Sequence, residues 1–171
     1  MRILALDQSL SNTGYAIFNV NVNDTSYYLD KASTICIPSK LKDFNKKLNY
    51  IHNALSILIK DNDIDLIIYE GIFKHLNIST LIKLAKVQGI VELCASELNI
   101  NSVIVTPKEW QAYFNLDKIK DNKNKSVDYI NNLHLNHYIN VNTDVNLDNI
   151  NNHVADALCI GIYYIIYNVF K

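Results

Sequence analysis

The hydrophobic and polar positions of the N-terminal part of the chain form blocks that are typical of strands. Residues 3–6 are continuously apolar, as in a strand buried on both faces, and the run ends at Asp7. The polar segment 8–14 supplies turn chemistry and residues 15–18 restart in extended form, so the pattern predicts a β-hairpin. Residues 26–37 have the composition of a third strand.

The middle of the chain alternates helical and strand patterns. Apolar positions at helical spacing predict an amphipathic helix over 41–59, and the apolar run 66–69 predicts a strand that leads into Glu70. Ser79 is the expected N-cap of a second long helix, which reaches about Leu98. Apolar residues cover more than one face of this helix. Either part of that surface meets a second subunit, or all of it is buried against the sheet.

The C-terminal half predicts one more strand and three more helices. Residues 103–105 form a buried strand, and segment 106–109 has the Thr-Pro-Lys-Glu pattern of a capping box that starts a helix carrying Trp110. A short helix is expected over 126–133, and the last helix begins near residues 151–152. Strands that alternate with helices in this way predict an α/β fold with a mixed central sheet flanked by helices.

Composition sets the class of protein. Of 171 residues, 49% are hydrophobic and 19% charged, which is a globular composition and predicts one domain over 1–171. The apolar start is interrupted by Asp7 before a signal peptide could form, and the apolar run 157–170 is shorter than the ~18 residues of a membrane span. We therefore expect a cytoplasmic protein without a membrane partner, in which Cys36, Cys94 and Cys159 are free core thiols.

The charge is unevenly distributed. The formal net charge is −1, but residues 74–126 carry eight lysines against five acidic residues, a local balance of +3. A basic face of this kind is sufficient for contact with phosphates.

Three segments share candidate chemistry. Asp7 and Glu70 each end a predicted strand, and a spacing of three places His153 and Asp156 on one face of the last helix. Asp7 alone is equally consistent with a residue that only opens a turn. Together, three carboxylates and an imidazole in one cleft would repel each other unless a divalent cation bound there. Oxygen-rich ligation suits Mg²⁺ or Mn²⁺, and two such ions can activate water against a phosphodiester.

These segments carry a resemblance. The segments 6–16, 69–73 and 153–158 resemble the three active-site blocks of RuvC-type Holliday junction resolvases, which belong to the ribonuclease H-like superfamily. Segments 84–89, 106–108 and 125–126 also resemble that family, so the similarity spans nearly the whole chain. The resemblance implies a ribonuclease H-like fold.

The resemblance also implies roles for the candidate residues. Asp7, Glu70, His153 and Asp156 would be catalytic ligands of two Mg²⁺ or Mn²⁺ ions, and His153 would take the first position of the helical pair. The chain departs from the family at residues 7–9, where Asp-Gln-Ser replaces Asp-Pro-Gly, and at His153, where Asp is frequent. The imidazole removes one negative charge, which leads to the hypothesis that Mn²⁺ supports activity at least as well as Mg²⁺. Alternatively, His153 is a helix-terminal residue that is hydrogen-bonded locally.

Contacts with DNA are expected from an aromatic residue and from lysines. Phe73 matches the aromatic residue that the family inserts or stacks at a junction centre, although a core Phe beside a strand end is equally consistent with the pattern. The candidate phosphate contacts are Lys74, Lys83, Lys86, Lys108, Lys118, Lys120, Lys123 and Lys125. The strongest of these are Lys108, Lys118 and Lys125, because they flank the expected cleft.

The resemblance implies a homodimeric, metal-dependent endonuclease that cuts branched DNA, and four-way junctions in particular, by paired nicks. A broader flap or fork nuclease and a catalytically silent junction-binding protein are the alternatives. A sugar-kinase-like ATPase is disfavoured because four glycines cannot supply its phosphate loops. A zinc site at His134 and His137 is disfavoured because no Cys or carboxylate pair stands nearby in the sequence.

Overall fold

The computed structural model describes residues 1–72, 77–120 and 122–171. Its sheet has five strands in the order β3-β2-β1-β4-β5. The strands are β1 (Arg2–Asp7), β2 (Asn12–Asn21), β3 (Ser26–Cys36), β4 (Leu66–Glu70) and β5 (Asn101–Val105). Strands β1 to β3 pair antiparallel, whereas β1, β4 and β5 pair parallel. The predicted mixed α/β layer is therefore confirmed.

Helices cover both faces of the sheet. They are α1 (Phe44–Asp61), α2 (Ile78–Glu97), α3 (Pro107–Tyr113), α4 (Lys125–Leu135) and α5 (Asn152–Tyr164), and a π-helical turn (Ile165–Val169) continues α5. The sequence placed two helix starts wrongly. Helix α1 begins after Asp43, whose side chain accepts the Lys46 amide, and α2 is capped by Asn77 and not by Ser79. Asp43 and Asn77 each have an extended backbone, and the side chain of each accepts a backbone amide from the first turn of its helix. Ser79 already lies within that first turn of α2, so it is not the N-cap.

The alternation of side chains along the strands separates two cores. Ile3 and Ala5 of β1 pack with α5, α3 and α4 on what we call the α5 face. Leu4 and Leu6 point to the other side and pack with α1 and α2, which we call the α1/α2 face. Because side chains alternate, Asp7 continues the row of Ile3 and Ala5 and belongs to the α5 face.

The C-terminal apolar run is a core helix, as predicted. Nine residues of α5 are buried, and within the described ranges no helix is long and apolar enough to cross a bilayer. Cys94 and Cys159 are buried free thiols, which confirms the expectation for both. The expectation for Cys36 is wrong: it is exposed, because it ends the edge strand β3.

Helix α2 is buried on one side only. Val87, Val91 and Cys94 pack on the α1/α2 face. The opposite side exposes an apolar stripe, which we call the α2 stripe: Ile78, Ile82, Ala85, Gly89 and Leu93. The sheet therefore accounts for part of the apolar surface of α2 and leaves the rest open.

Candidate active site

The two strand-terminal carboxylates lie at one edge of the sheet. Strands β1 and β4 are parallel neighbours, and their register pairs Leu6 with Tyr69. Asp7 and Glu70 therefore follow at adjacent positions, and both belong to the α5 face. Asp7 is only 8% exposed, so a carboxylate stands at the end of the buried strand, as the sequence predicted.

The first turn of α5 is fixed against the same edge. Asn151 is the N-cap: its Oδ1 accepts the Val154 amide at 3.0 Å, and its Nδ2 donates to Thr34 Oγ1 at 2.9 Å. Gly14, which pairs with Asp7 in β2, allows the helix to approach closely. A Cβ at Gly14 would lie 2.1 Å from the main-chain oxygen of His153. Only a glycine at this position permits α5 to begin directly over β2.

His153 contacts Asp7 directly. The imidazole Nδ1 lies 2.5 Å from Asp7 Oδ2, across 146 residues of sequence. This hydrogen bond raises the pKa of His153, and burial opposes it. The partner of the imidazole is thus a strand-terminal carboxylate and not a neighbour on its own helix.

Glu70 is held by two side chains from other elements. Trp110 Nε1 donates to Glu70 Oε1 at 3.0 Å, and Gln8 Nε2 donates to the main-chain oxygen of Glu70 at 2.5 Å. Burial raises the pKa of Glu70 to about 8, and the nearby charge of Asp7 adds to the rise. The Trp110 hydrogen bond opposes the rise without cancelling it. The site thus disfavours the negative charge of Glu70 while keeping the side chain fixed.

Asp156 faces the same cluster from α5. Burial raises its pKa to about 6, the Ser126 hydroxyl lowers it, and the Asp7 charge raises it further. Lys125 also lowers it, and its ammonium is held by Gln111 Oε1 and by the Leu116 carbonyl, each at 3.0 Å. Charges in this cluster therefore shift one another's pKa values, which places the four residues in one cleft: Asp7, Glu70, His153 and Asp156. The sequence predicted such a cleft.

The donor set suits a divalent cation of the hard, oxygen-seeking kind. Three carboxyl groups share the edge, and Gln8 Oε1 is a buried oxygen without a hydrogen-bond partner within the described structure. No three metal-binding side chains of the described ranges converge tightly enough to enclose an ion as they stand. Asp7 Oδ2 is engaged by His153 in this arrangement. The chemistry of the donor set thus fits a divalent cation. A bound cation would compete with His153 for Asp7 Oδ2.

The predicted DNA-contacting residues are distributed over both sides of the sheet. Phe73 and Lys74 lie outside the described residues. Lys108, Lys118 and Lys125 belong to the side of α3 and α4, and of these only Lys125 acts on the carboxylate cluster. The lysines of α2, Lys83 and Lys86, belong to the α1/α2 side, where they line a hollow of about 420 Å³. The candidate lysines that the structure describes therefore lie on both sides of the sheet.

Three residues with a part in this geometry were missed at the sequence level: Gln8, Gly14 and Trp110. Gln8 stood out only as a departure from the family pattern. Trp110 carried a usable signal, since it is the single tryptophan and sits in the first turn after the strand that neighbours β4. Its contact with Glu70 depends on the sheet order, which the sequence does not specify.

Sequence comparison gives a consistent picture. Residues 3–164 match the family described as Crossover junction endodeoxyribonuclease RuvC. The chain is 28% identical over 109 residues to the protein of that name from Dictyoglomus turgidum, covering 64% of this chain and 67% of the relative. It is 31% identical over 107 residues to the one from Nitratiruptor sp., covering 63% and 65%. The alignments thus span about two thirds of each relative's length.

Solved structures share the fold. The chain is similar to Thermus thermophilus RuvC in complex with a Holliday junction substrate, with a TM-score of 0.73, 14% identity, and coverage of 98% of this chain and 94% of that chain. It is also similar to the yeast mitochondrial Holliday junction resolvase, with a TM-score of 0.68, 15% identity, and coverage of 95% and 78%. The predicted ribonuclease H-like architecture is therefore confirmed. Since the family match extends over nearly the whole sequence, the chain belongs to the RuvC family of crossover junction endodeoxyribonucleases.

Proposed function

We propose that this protein resolves four-way DNA junctions by cutting phosphodiester bonds in paired nicks at the edge where β1, β4 and α5 meet. One observation carries the proposal: Asp7, Glu70, His153 and Asp156 come from three distant parts of the chain and converge on that edge. Membership of a family of endodeoxyribonucleases supports the same conclusion.

The family implies dependence on a divalent cation. Two Mg²⁺ or Mn²⁺ ions would be held by four side chains: Asp7, Glu70, His153 and Asp156. Bound cations supply a water of lowered pKa and neutralise the charge that develops on the phosphate. The raised pKa values of Glu70 and Asp156 support this assignment, because burial and then the charge of Asp7 disfavour both carboxylates, and a bound cation would offset both effects.

The residues of the chain prepare the site before the substrate arrives. Gln8 holds the main chain of Glu70, Trp110 holds its side chain, and Asn151 fixes the turn of α5 that presents His153 and Asp156. Burial keeps bulk water away from Asp7, which strengthens its interaction with any positive charge. Such preorganisation lowers the cost of reorganising the site during the reaction.

The substrate assignment rests on similarity. One similar structure holds Thermus thermophilus RuvC with a Holliday junction, and another holds fowlpox virus resolvase with the same kind of DNA, with a TM-score of 0.61, 15% identity and 97% coverage of both chains. A four-way junction needs two cuts related by symmetry, so we also propose a homodimer. The α2 stripe supports it: Ile78 is 76% and Ile82 51% exposed, and the smaller Ala85 and Gly89 would allow two helices to approach closely.

Cleavage of labelled DNA tests the proposal. Wild type and Asp7→Asn are incubated with a four-way junction and with a matched linear duplex, in Mg²⁺ or in Mn²⁺. We expect paired symmetric nicks in the junction alone, lost in the variant while junction binding persists. Equal cutting of flaps and forks would replace the proposal by a broader branched-DNA nuclease. Binding without cutting in either metal would leave a catalytically silent junction-binding protein.

A single working domain over 1–171 and a cytoplasmic location remain predictions.

A further inference from the structure

A hydrogen bond joins the single tryptophan of the chain to the carboxylate cluster. The indole Nε1 of Trp110 lies 3.0 Å from Glu70 Oε1. Trp110 is 1% exposed, so this hydrogen bond is shielded from water. A shielded bond to an ionisable group has more influence on its position than an exposed one.

The local sequence brings Trp110 to this position. Strand β5 pairs with β4 so that Val105 lies opposite Glu70, and Thr106 immediately caps α3. The capping box closes because Glu109 Oε2 accepts the Thr106 amide at 2.7 Å. A helix that starts one residue after β5 turns its first-turn side chain back over the neighbouring strand. Trp110 therefore reaches the end of β4.

The chemistry of the indole restricts what the contact can do. Indole N–H is a donor only, so it can fix an acceptor oxygen but cannot accept a proton from it. With Oε1 engaged, Oε2 has no hydrogen-bond donor among the described residues. One carboxylate oxygen is thus fixed by the protein, and the other is left for a partner from outside the chain.

We propose that Trp110 is a positioning residue that orients the Glu70 carboxylate toward the cation, and that the single tryptophan of the chain reports directly on occupancy of the site. This inference rests on the proposed function in assigning Glu70 as a ligand. Partners that hold a ligand from behind typically change metal affinity by roughly 10–100-fold when they are removed. Trp110 would do so without touching the metal or the DNA.

The first experiment uses the intrinsic fluorescence of Trp110 in the full chain. Emission spectra of wild type and Glu70→Gln are compared in EDTA, and both proteins are then titrated with Mg²⁺ without DNA. At pH 9, where Glu70 is ionised, we expect the EDTA spectra to differ, because the glutamine offers the indole a neutral acceptor in place of a carboxylate. We also expect a saturable change with Mg²⁺ in wild type that Glu70→Gln lacks. Identical EDTA spectra of the two proteins would overturn the inference. Wild-type emission that stays constant when Mg²⁺ binds would also overturn it.

The second experiment removes the N–H and keeps an aromatic ring. Trp110→Phe is titrated with Mn²⁺, and free Mn²⁺ is followed by its electron paramagnetic resonance signal. We expect its dissociation constant for Mn²⁺ to rise roughly tenfold, with junction binding in EDTA unchanged. Phe114→Leu is the matched control, because Phe114 ends the same helix and packs on Tyr129 without contacting Glu70. It should lose packing but bind Mn²⁺ as wild type does.

The two proposals fail in different ways. If Trp110→Phe binds Mn²⁺ as tightly as wild type, while wild type cuts junctions and Glu70→Gln does not, the positioning role is wrong and the proposed function stands. If Phe114→Leu weakens Mn²⁺ binding as much as Trp110→Phe, the effect is one of general packing and the positioning role is also wrong. If Mn²⁺ binding is weakened by Trp110→Phe and by Glu70→Gln but wild type cuts no DNA, the proposed function fails and the positioning role stands.

Discussion

Tyr69 and Glu70 are neighbours in β4, but their side chains lie on opposite faces of the sheet and have different polar surroundings. On the α1/α2 face, the Tyr69 hydroxyl donates to Glu92 Oε1 at 2.7 Å, and Gln88 Nε2 donates to the same oxygen at 3.0 Å. On the α5 face, burial raises the pKa of Glu70, and the nearby charges of Asp7 and Asp156 add to the rise. On the α1/α2 face, the carboxylate of Glu92 accepts hydrogen bonds from neutral donors. On the α5 face, carboxylates lie near other carboxylates. The first arrangement stabilises the fold, and the second calls for a cation.

The largest expected effect is the difference in cleavage rate between two variants, each of which lacks one polar group on one face of the sheet. Glu70→Gln should lower the rate of junction cleavage by about 10²-fold or more, because it removes a ligand of the cation that would neutralise the developing charge. Tyr69→Phe should cut at nearly the wild-type rate and lose only about 1 kcal/mol of unfolding free energy, the worth of one hydrogen bond. Single-turnover cleavage and urea unfolding measure the two quantities. Similar losses of activity in both variants would remove the distinction between the faces.

The next effect concerns the close approach of α5. Gly14→Ala places a methyl group against the main-chain oxygen of His153, where a Cβ would lie at 2.1 Å. Overpacking of this kind costs about 1–3 kcal/mol, and a shift of the site by about 1 Å can lower the rate ~10²-fold. Gly161→Ala, whose Cβ would lie 2.2 Å from the ring of Phe18, is the control for overpacking along α5 away from its first turn. Melting temperature and cleavage rate are compared at equal oligomeric state, and a neutral Gly14→Ala would contradict the assigned role.

The carboxylates of the α5 face should also make the stability of the metal-free protein depend on pH. The pKa of Glu70 is raised from 4.5 to about 8 and that of Asp156 from 3.8 to about 6. Their protonated forms therefore stabilise the folded state at low pH, and this stabilisation is lost as the pH rises through about 6 and then about 8. His153, whose pKa is also raised, acts in the same direction.

In EDTA, the melting temperature should thus fall by several degrees between about pH 5.5 and pH 8.5, since 1 kcal/mol corresponds to about 2–4 °C for a chain of this size. Differential scanning calorimetry follows the change. Glu70→Gln should flatten the dependence and Tyr69→Phe should keep it. A melting temperature that rises with pH would show that the carboxylates are stabilised in their charged form.

A smaller effect separates the lysines of the two sides. Lys108 and Lys118 are exposed on the side of α3, whereas Lys83 and Lys86 are exposed on α2. Replacing the first pair by alanine should lower the salt dependence of junction binding by a slope of about 1 for each phosphate that is no longer neutralised, and replacing the second pair should change it less. Gel-shift titrations at several salt concentrations measure the slope. A larger change from the α2 pair would move the DNA to the other side of the sheet.

The smallest effect is the choice of metal. His153 places a neutral, softer donor where the family frequently has a carboxylate, so Mn²⁺ should support cleavage at least as well as Mg²⁺. His153→Asp should shift the ratio of the two rates toward Mg²⁺. Cleavage assays with each metal, at matched free concentrations, give the ratio for both proteins. Strong activity in Mg²⁺ with none in Mn²⁺ would contradict the hypothesis.

The sequence predicted the elements better than their contacts. The run that ends at Asp7, the strand that ends at Glu70 and the capping box before Trp110 are local patterns, and each formed as expected. Helix starts were less predictable, because Asn77 and Ser79 both carry capping chemistry and only the path of the chain selects one.

The candidate site was predictable as a set of residues but not as a geometry. Asp7 and Glu70 were identified because each ends a predicted strand, and His153 and Asp156 because of their helical spacing. The Asp7–His153 bond and the Glu70–Trp110 bond depend on sheet order and on how closely α5 approaches β2. These are properties of packing between distant segments, and a pattern along one sequence contains no record of them.

The span of 146 residues between Asp7 and His153 has a consequence during protein synthesis. While the ribosome is still making the chain, the first hairpin and β4 can pair, but α5 has not yet emerged. Asp7 and Glu70 then lack both His153 and Asp156. A nascent or truncated chain that ends before α5 therefore contains half of the site, and the proposed nuclease cannot cut DNA before its own translation has passed that helix.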